Sequence, residues 1–171
     1  MDAIALLKAD HRTVEALFEE FETANGGNAK QRIAHQICME LIVHAQIEEE
    51  IFYPAVKDAV EEDIYTEAHV EHDGAKVLIA EILAGDPEDE FYDASVKVLA
   101  EMIKHHVKEE ERRDGMFAQA RRGDIDLAAL GEQLEQRKMD LIALYKRNGL
   151  PRPKTRTLKE VPKVELGQPL A

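Results

Sequence analysis

Four successive segments of this chain carry apolar residues at every third or fourth position. In each of them a histidine stands where another apolar side chain belongs. In the first, Ile4, Leu7, Val14, Phe18 and Phe21 form a stripe whose gap is filled by His11. In the second, Ile33, Ile37, Leu41, Ile51 and Ala55 enclose His44 and Glu48. The third carries Ile64, Ala68, Ala75, Ile79 and Leu83 with His72 on the same face. The fourth opens near Pro87, a favourable first helical residue, and runs through Phe91, Val98, Leu99, Met102 and Ile103 to His105 and His106. "NGGN" from Asn25 and "GDPEDE" from Gly85 break the pattern, and Pro54 is expected to kink the second helix or mark its last turns.

A fifth helix is predicted from Leu127 to Tyr145, with Leu130, Leu134, Leu141 and Leu144 as its stripe. From Gly149 to Ala171 the periodicity stops, which predicts an extended or disordered tail draped over the rest. No strand pattern competes. The expected fold is all-α: an up-down-up-down four-helix bundle (residues 1–122), an additional C-terminal helix (123–148) and a tail (149–171).

Composition narrows the function classes. Charged residues make up 33% of the chain, but hydrophobic residues make up 44%, enough for a core. A net charge of −13 disfavours nucleic acid and anionic membrane surfaces as partners. The single Cys38 excludes an internal disulfide and is expected to pack as a small hydrophobe. The N-terminal stretch lacks the basic-then-apolar order of a signal peptide, and no apolar run is long enough to span a membrane. The expectation is a cytoplasmic protein, monomeric or weakly dimeric.

Burying an uncompensated imidazole or carboxylate is costly, so a core that takes a histidine from each of four helices needs a compensating partner. His44 with Glu48, and His106 with Glu110, are spaced four apart and so share a helix face. The spacing also repeats: His11 to His44 is 33 residues, and His72 to His106 is 34. Four imidazoles and two carboxylates are what two metal ions need, with imidazoles capping and carboxylates bridging. Mixed nitrogen and oxygen donors suit iron, leave manganese and zinc open, and argue against calcium and magnesium. The adjoining acids Glu49, Glu50, Glu109 and Glu111 are expected to face solvent. The competing reading is a metal-free acidic helical module whose surface or tail binds a protein partner.

The phrases "DHRTV" around His11, "HAQIEEEIFYP" from His44, "EHDGAK" around His72 and "HHVKEEE" from His105 occur in order on the four predicted helices. Together they resemble the hemerythrin-like (HHE cation-binding) family, from about Asp2 to Arg122. The resemblance implies two non-haem iron ions joined by an oxo or hydroxo bridge, with dioxygen, peroxide or nitric oxide as the small ligand. It implies His11, His44, Glu48, His72, His106 and Glu110 as metal ligands. Aligning the two "EEE" runs would select His105 and Glu109 instead; the apolar stripe and the distance to the following aromatic stretch favour His106 and Glu110. Oxygen-carrying hemerythrins have a second histidine four residues before His72, where this chain has Ala68. His69 is a possible substitute, and Tyr65 is read as a core tyrosine. That departure puts simple oxygen carriage in doubt and leaves oxidative-stress defence with catalase-like peroxide disproportionation, sensing and iron handling open. No catalytic residue is singled out, although His69 or His105 could relay protons.

Overall fold

The structure, a computed structural model, describes residues 1–158; the part of the predicted tail from 159 to 171 lies outside the described residues. Four long helices form the bundle: α1 (Ala3–Thr23), α2 (Gly27–Ile47), α4 (Glu62–Ala84) and α5 (Tyr92–Glu111). Short connections send them up and down in turn, and α1 packs on α2 and α5 while α4 packs on α2 and α5. No strand occurs among the described residues. The inner faces carry most of the expected stripes, with Ile4, Leu7, Val14, Ile33, Ile37, Ile79 and Leu99 all buried, whereas Ala55 and Val98, expected in them, face outward. Cys38 is fully buried among them.

Two helix boundaries differ from the sequence reading. The fourth helix begins at Tyr92, because Pro87 lies in a turn. In that turn the Asp89 N–H donates to the Asp86 carbonyl, and the Glu88 N–H donates to the Asp86 side chain. Phe91 therefore precedes the helix and is exposed, and Tyr92 and Val96 fill the core in its place. After Glu111 the chain turns and resumes as a short helix, α6 (Met116–Arg122). A Cβ at Gly115 would lie 2.2 Å from the Glu109 carbonyl oxygen and 2.7 Å from that of Glu110. Only glycine lets the turn close this tightly beneath Glu110.

The second helix does not simply end at Pro54. Residues Glu48–Phe52 form one π-helical turn, α3 (Tyr53–Val56) restores α-helix, and a 3-10 turn (Lys57–Ala59) closes the run. Proline has no N–H for the Glu50 carbonyl, and the widened turn instead carries the Tyr53 N–H to the Glu48 carbonyl. The wider turn changes which side chains face inward. Glu48, Glu49, Phe52 and Tyr53 are all buried.

The fifth long helix, α7 (Leu127–Asn148), is capped by Asp126, whose carboxylate accepts from the Ala128 and Ala129 N–H groups. It lies across α1 and α2, burying Leu130, Leu134, Leu141 and Tyr145. Leu144, expected in this stripe, faces outward, and Tyr145 takes the inward place. At Gly131 a Cβ would lie 2.3 Å from the Met1 carbonyl oxygen, so the helix docks directly on the N-terminal backbone. Beyond Gly149 an irregular strap returns to α4. There the buried Asp73 accepts the backbone N–H groups of Arg156, Thr157 and Leu158 and the Thr157 hydroxyl, at 2.5–2.9 Å.

Candidate metal centre

The bundle brings its four inward histidines and two inward glutamates to one level of the core, and all six are buried. His11, His44, Glu48 and Glu110 each place one ligand-type atom within 4.8 Å of the others, and Glu48, His72 and His106 form a second such group. The Nε2 atoms of His11 and His44 are 3.2 Å apart, as are those of His72 and His106. The glutamates lie between the two pairs. Glu48 Oε2 is 3.2 Å from His44 Nε2 and 3.3 Å from His72 Nε2. Glu110 reaches His11 at 3.4 Å and His106 at 3.5 Å, using a different oxygen for each.

The fourth helix presents His106 and Glu110 inward. His105 has an exposed side chain and pairs with Glu71 at 3.1 Å, while Glu109 sits beside Arg112 at 3.0 Å. His69 lies outside both ligand-distance groups; its ring packs edge-on against Tyr53 and Tyr65. Tyr65 is half-buried against the core.

Each of the four inner histidines has a carboxylate on its other ring nitrogen. His11 Nδ1 lies 2.7 Å from Glu111, His44 Nδ1 3.5 Å from Asp10, His72 Nδ1 3.0 Å from Glu49, and His106 Nδ1 2.7 Å from Glu71. A carboxylate there takes the Nδ1–H and leaves the Nε2 lone pair pointing into the core, the arrangement that orients metal-binding imidazoles. Glu49 is therefore buried and Glu111 half-buried, against the expectation that both face solvent. Glu50 is exposed, as expected, and pairs with Arg137. Glu109, also expected outside, is half-buried.

Tyr53, which the sequence reading did not single out, also enters the site. Its hydroxyl donates to Glu110 Oε1 at 3.1 Å, lies 3.1 Å from His72 Nε2 and 3.4 Å from Glu48 Oε2. Phe117 of α6 stacks on His11 with ring planes 11° apart. On the bundle-interior side is a cavity of about 30 Å³, bounded by the four histidines and by apolar residues including Val14, Leu41, Ile79 and Ile103.

The electrostatics of the bare residues are unbalanced. Burial opposes charge on His44, but Glu48 and Asp10 overcome it and push its pKa up to about 10; for His72, Glu48 and Glu49 overcome burial and raise it to about 9. Burial works against the Glu48 carboxylate too, yet His44 and His72 hold its pKa well below the usual range. Burial, with Glu110 and Glu48 nearby, pushes the Tyr53 hydroxyl well above its ordinary value. Glu48 Oε1 and Glu110 Oε2 are buried without a hydrogen-bond donor. Two pairs of Nε2 atoms facing each other and two orphaned carboxylate oxygens fit a pair of cations placed between them.

A family model described as the hemerythrin HHE cation binding domain matches residues 2–118. A Nostoc sp. protein named DNA nickase is 32% identical over 106 residues, which cover 62% of this chain but 30% of that protein. The chain thus spans less than a third of that relative. The crystal structure of a hemerythrin HHE cation binding domain-containing protein from Mycobacterium kansasii superposes with a TM-score of 0.71 at 22% identity. That superposition covers 88% of this chain and 95% of the other, and it supports the all-α fold.

Proposed function

Since the chain belongs to the hemerythrin HHE cation-binding domain family, we propose that its core holds two non-haem iron ions and that the protein handles a small oxidant, with peroxide disproportionation as its activity. The observation that carries this reading is the pair of buried ligand groups sharing Glu48, set against a cavity of about 30 Å³. A space of that size exceeds what one water molecule needs and admits a ligand of a few atoms. His11 and His44 would hold one ion, His72 and His106 the other, with Glu48 and Glu110 between them. Tyr53 would add an oxygen donor on the His72 side.

When bound, the iron pair supplies electron exchange with a small oxygen or nitrogen species. The chain's own residues do the rest. The four Nδ1 carboxylates hold the imidazoles in one tautomer and one plane. The apolar walls keep bulk water from the centre. Glu71, which accepts from His106 and pairs with the exposed His105, offers a proton route to solvent.

The two orphaned carboxylate oxygens count against the metal-free interaction module, since such a core would keep two buried acceptors unsatisfied. Nor does the name of the Nostoc relative carry over: the match covers 30% of it, and a net charge of −13 disfavours a polyanionic substrate. No helix among the described residues is long and apolar enough to cross a membrane.

The test is to load the protein with iron and add peroxide, oxygen or nitric oxide separately. Rapid peroxide loss with oxygen evolution supports the activity. A stable, reversible oxygen adduct without peroxide turnover would replace it with carriage.

A further inference from the structure

The carboxylates behind the four histidines are not braced alike. Glu111, behind His11, is held by Lys8 and Arg12 of α1, and Glu71, behind His106, by His105 of α5. Those partners all lie inside the matched domain, residues 2–118. The other two carboxylates reach beyond it. Asp10, behind His44, pairs with Lys138 of α7. Glu49, behind His72, accepts from Arg156 Nε of the strap at 2.8 Å, as well as from Lys76 at 2.6 Å. Each histidine pair thus has one member braced only from within the bundle and one whose carboxylate takes a cation from the C-terminal segment, Glu49 sharing its own with Lys76.

We propose that Lys138 and Arg156 are positioning residues of the metal centre, so that α7 and the strap are working parts of it rather than an appendage. This rests on the two-iron reading above. The strap is built to place Arg156: the Arg156 and Leu158 N–H groups and both the Thr157 N–H and hydroxyl converge on Asp73, the residue after His72. Asp73 is completely buried, so the anchor is fixed to the same turn of α4 that carries the histidine. A cation on the outer oxygen of a carboxylate draws charge away from the imidazole N–H that the carboxylate accepts. The imidazole becomes a poorer electron donor, and an ion bound to it is easier to reduce. Lys138 and Arg156 would raise the reduction potential of the two ions, one through His44 and the other through His72.

The experiment uses the full-length, iron-loaded chain, with iron counted in every variant before its reduction potential is titrated. Arg156→Gln and Lys138→Gln are expected to shift the potential to more negative values, and Arg156→Lys to restore most of the shift. Arg137→Gln removes an α7 ion pair to Glu50 that backs no histidine, and should leave the potential where it was. Unmoved potentials in Arg156→Gln and Lys138→Gln, with iron present, would overturn this inference alone. An equal shift in Arg137→Gln would do the same, by showing a general charge effect. Wild-type protein that takes up no iron would overturn the two-iron reading and this inference with it.

Discussion

The carboxylates that orient the histidines follow a pattern. Each is the chain neighbour of one inner residue and serves a histidine on another helix. Asp10 precedes His11 but faces His44, and Glu71 precedes His72 but faces His106. Glu49 follows Glu48 and faces His72, while Glu111 follows Glu110 and faces His11. The roles repeat between the two halves of the chain, as the histidine spacing does. Four of the six inner residues were legible because each interrupts an apolar stripe, while on the fourth helix the neighbouring His105 and Glu109 competed with His106 and Glu110. The outer four were not, since a charged residue beside a stripe reads as surface, and only the packing of a second helix buries it. Tyr53 was hidden for a different reason. Five residues on from Glu48 in a regular α-helix points about 140° away, whereas a π turn brings that position nearly back to the same face. Tyr53→Phe in the iron-loaded protein is expected to remove a phenolate-to-iron absorption band; an unchanged visible spectrum would take Tyr53 out of the ligand set. A second prediction concerns the metal-free chain. His44 and His72 have folded values of about 10 and 9 against an ordinary 6.5, so they bind protons more tightly folded than unfolded. That stabilisation is complete below pH 6.5 and is lost as pH rises through 9 to 10. The melting temperature of metal-free protein should therefore fall by several degrees across this window. That of loaded protein should not, because the ions replace the protons.

At the scale of elements, helix type was the easy part and helix ends were harder. The apolar period located all four bundle helices and α7, because burying one face is what holds a helix in a small domain. The start of α5 was misplaced because Pro87 suits a first helical turn and a tight turn equally well, and the side chains of Asp86 and Asp89 decide for the latter. α6 was missed because "RRDGMFA" holds too few apolar residues to show a period. The docking of α7 can be tested at Gly131. Alanine there places a methyl against the Met1 carbonyl oxygen, which cannot yield without lifting the helix or the N-terminus. Gly131→Ala is expected to cost about 1–3 kcal/mol in chemical denaturation. A variant as stable as the parent would mean that α7 does not pack this closely.

For the whole molecule, the bundle alone does not account for the centre's surroundings. Its stripes and histidines could be read along single helices, but Lys138 and Arg156 are joined to the site only by the path of the chain after Arg122. A lysine on an amphipathic helix and an arginine in a proline-rich stretch have no local signature. They acquire a role when α7 crosses α1 and α2 and the strap meets Asp73. The balance of charge points the same way. Four imidazoles and two carboxylates, buried together with unpaired oxygens, are costly as they stand and become favourable around cations. Metal loading should therefore stabilise the entire fold, through residues on all four bundle helices at once.

The most direct measurement of that claim is iron content per chain after anaerobic loading and desalting, made on the wild type and on His44→Ala in parallel. The account predicts about two irons per chain in the wild type and a loss of at least half of them in the variant. Wild-type protein that retains no iron, or a variant that retains as much as the wild type, would contradict it.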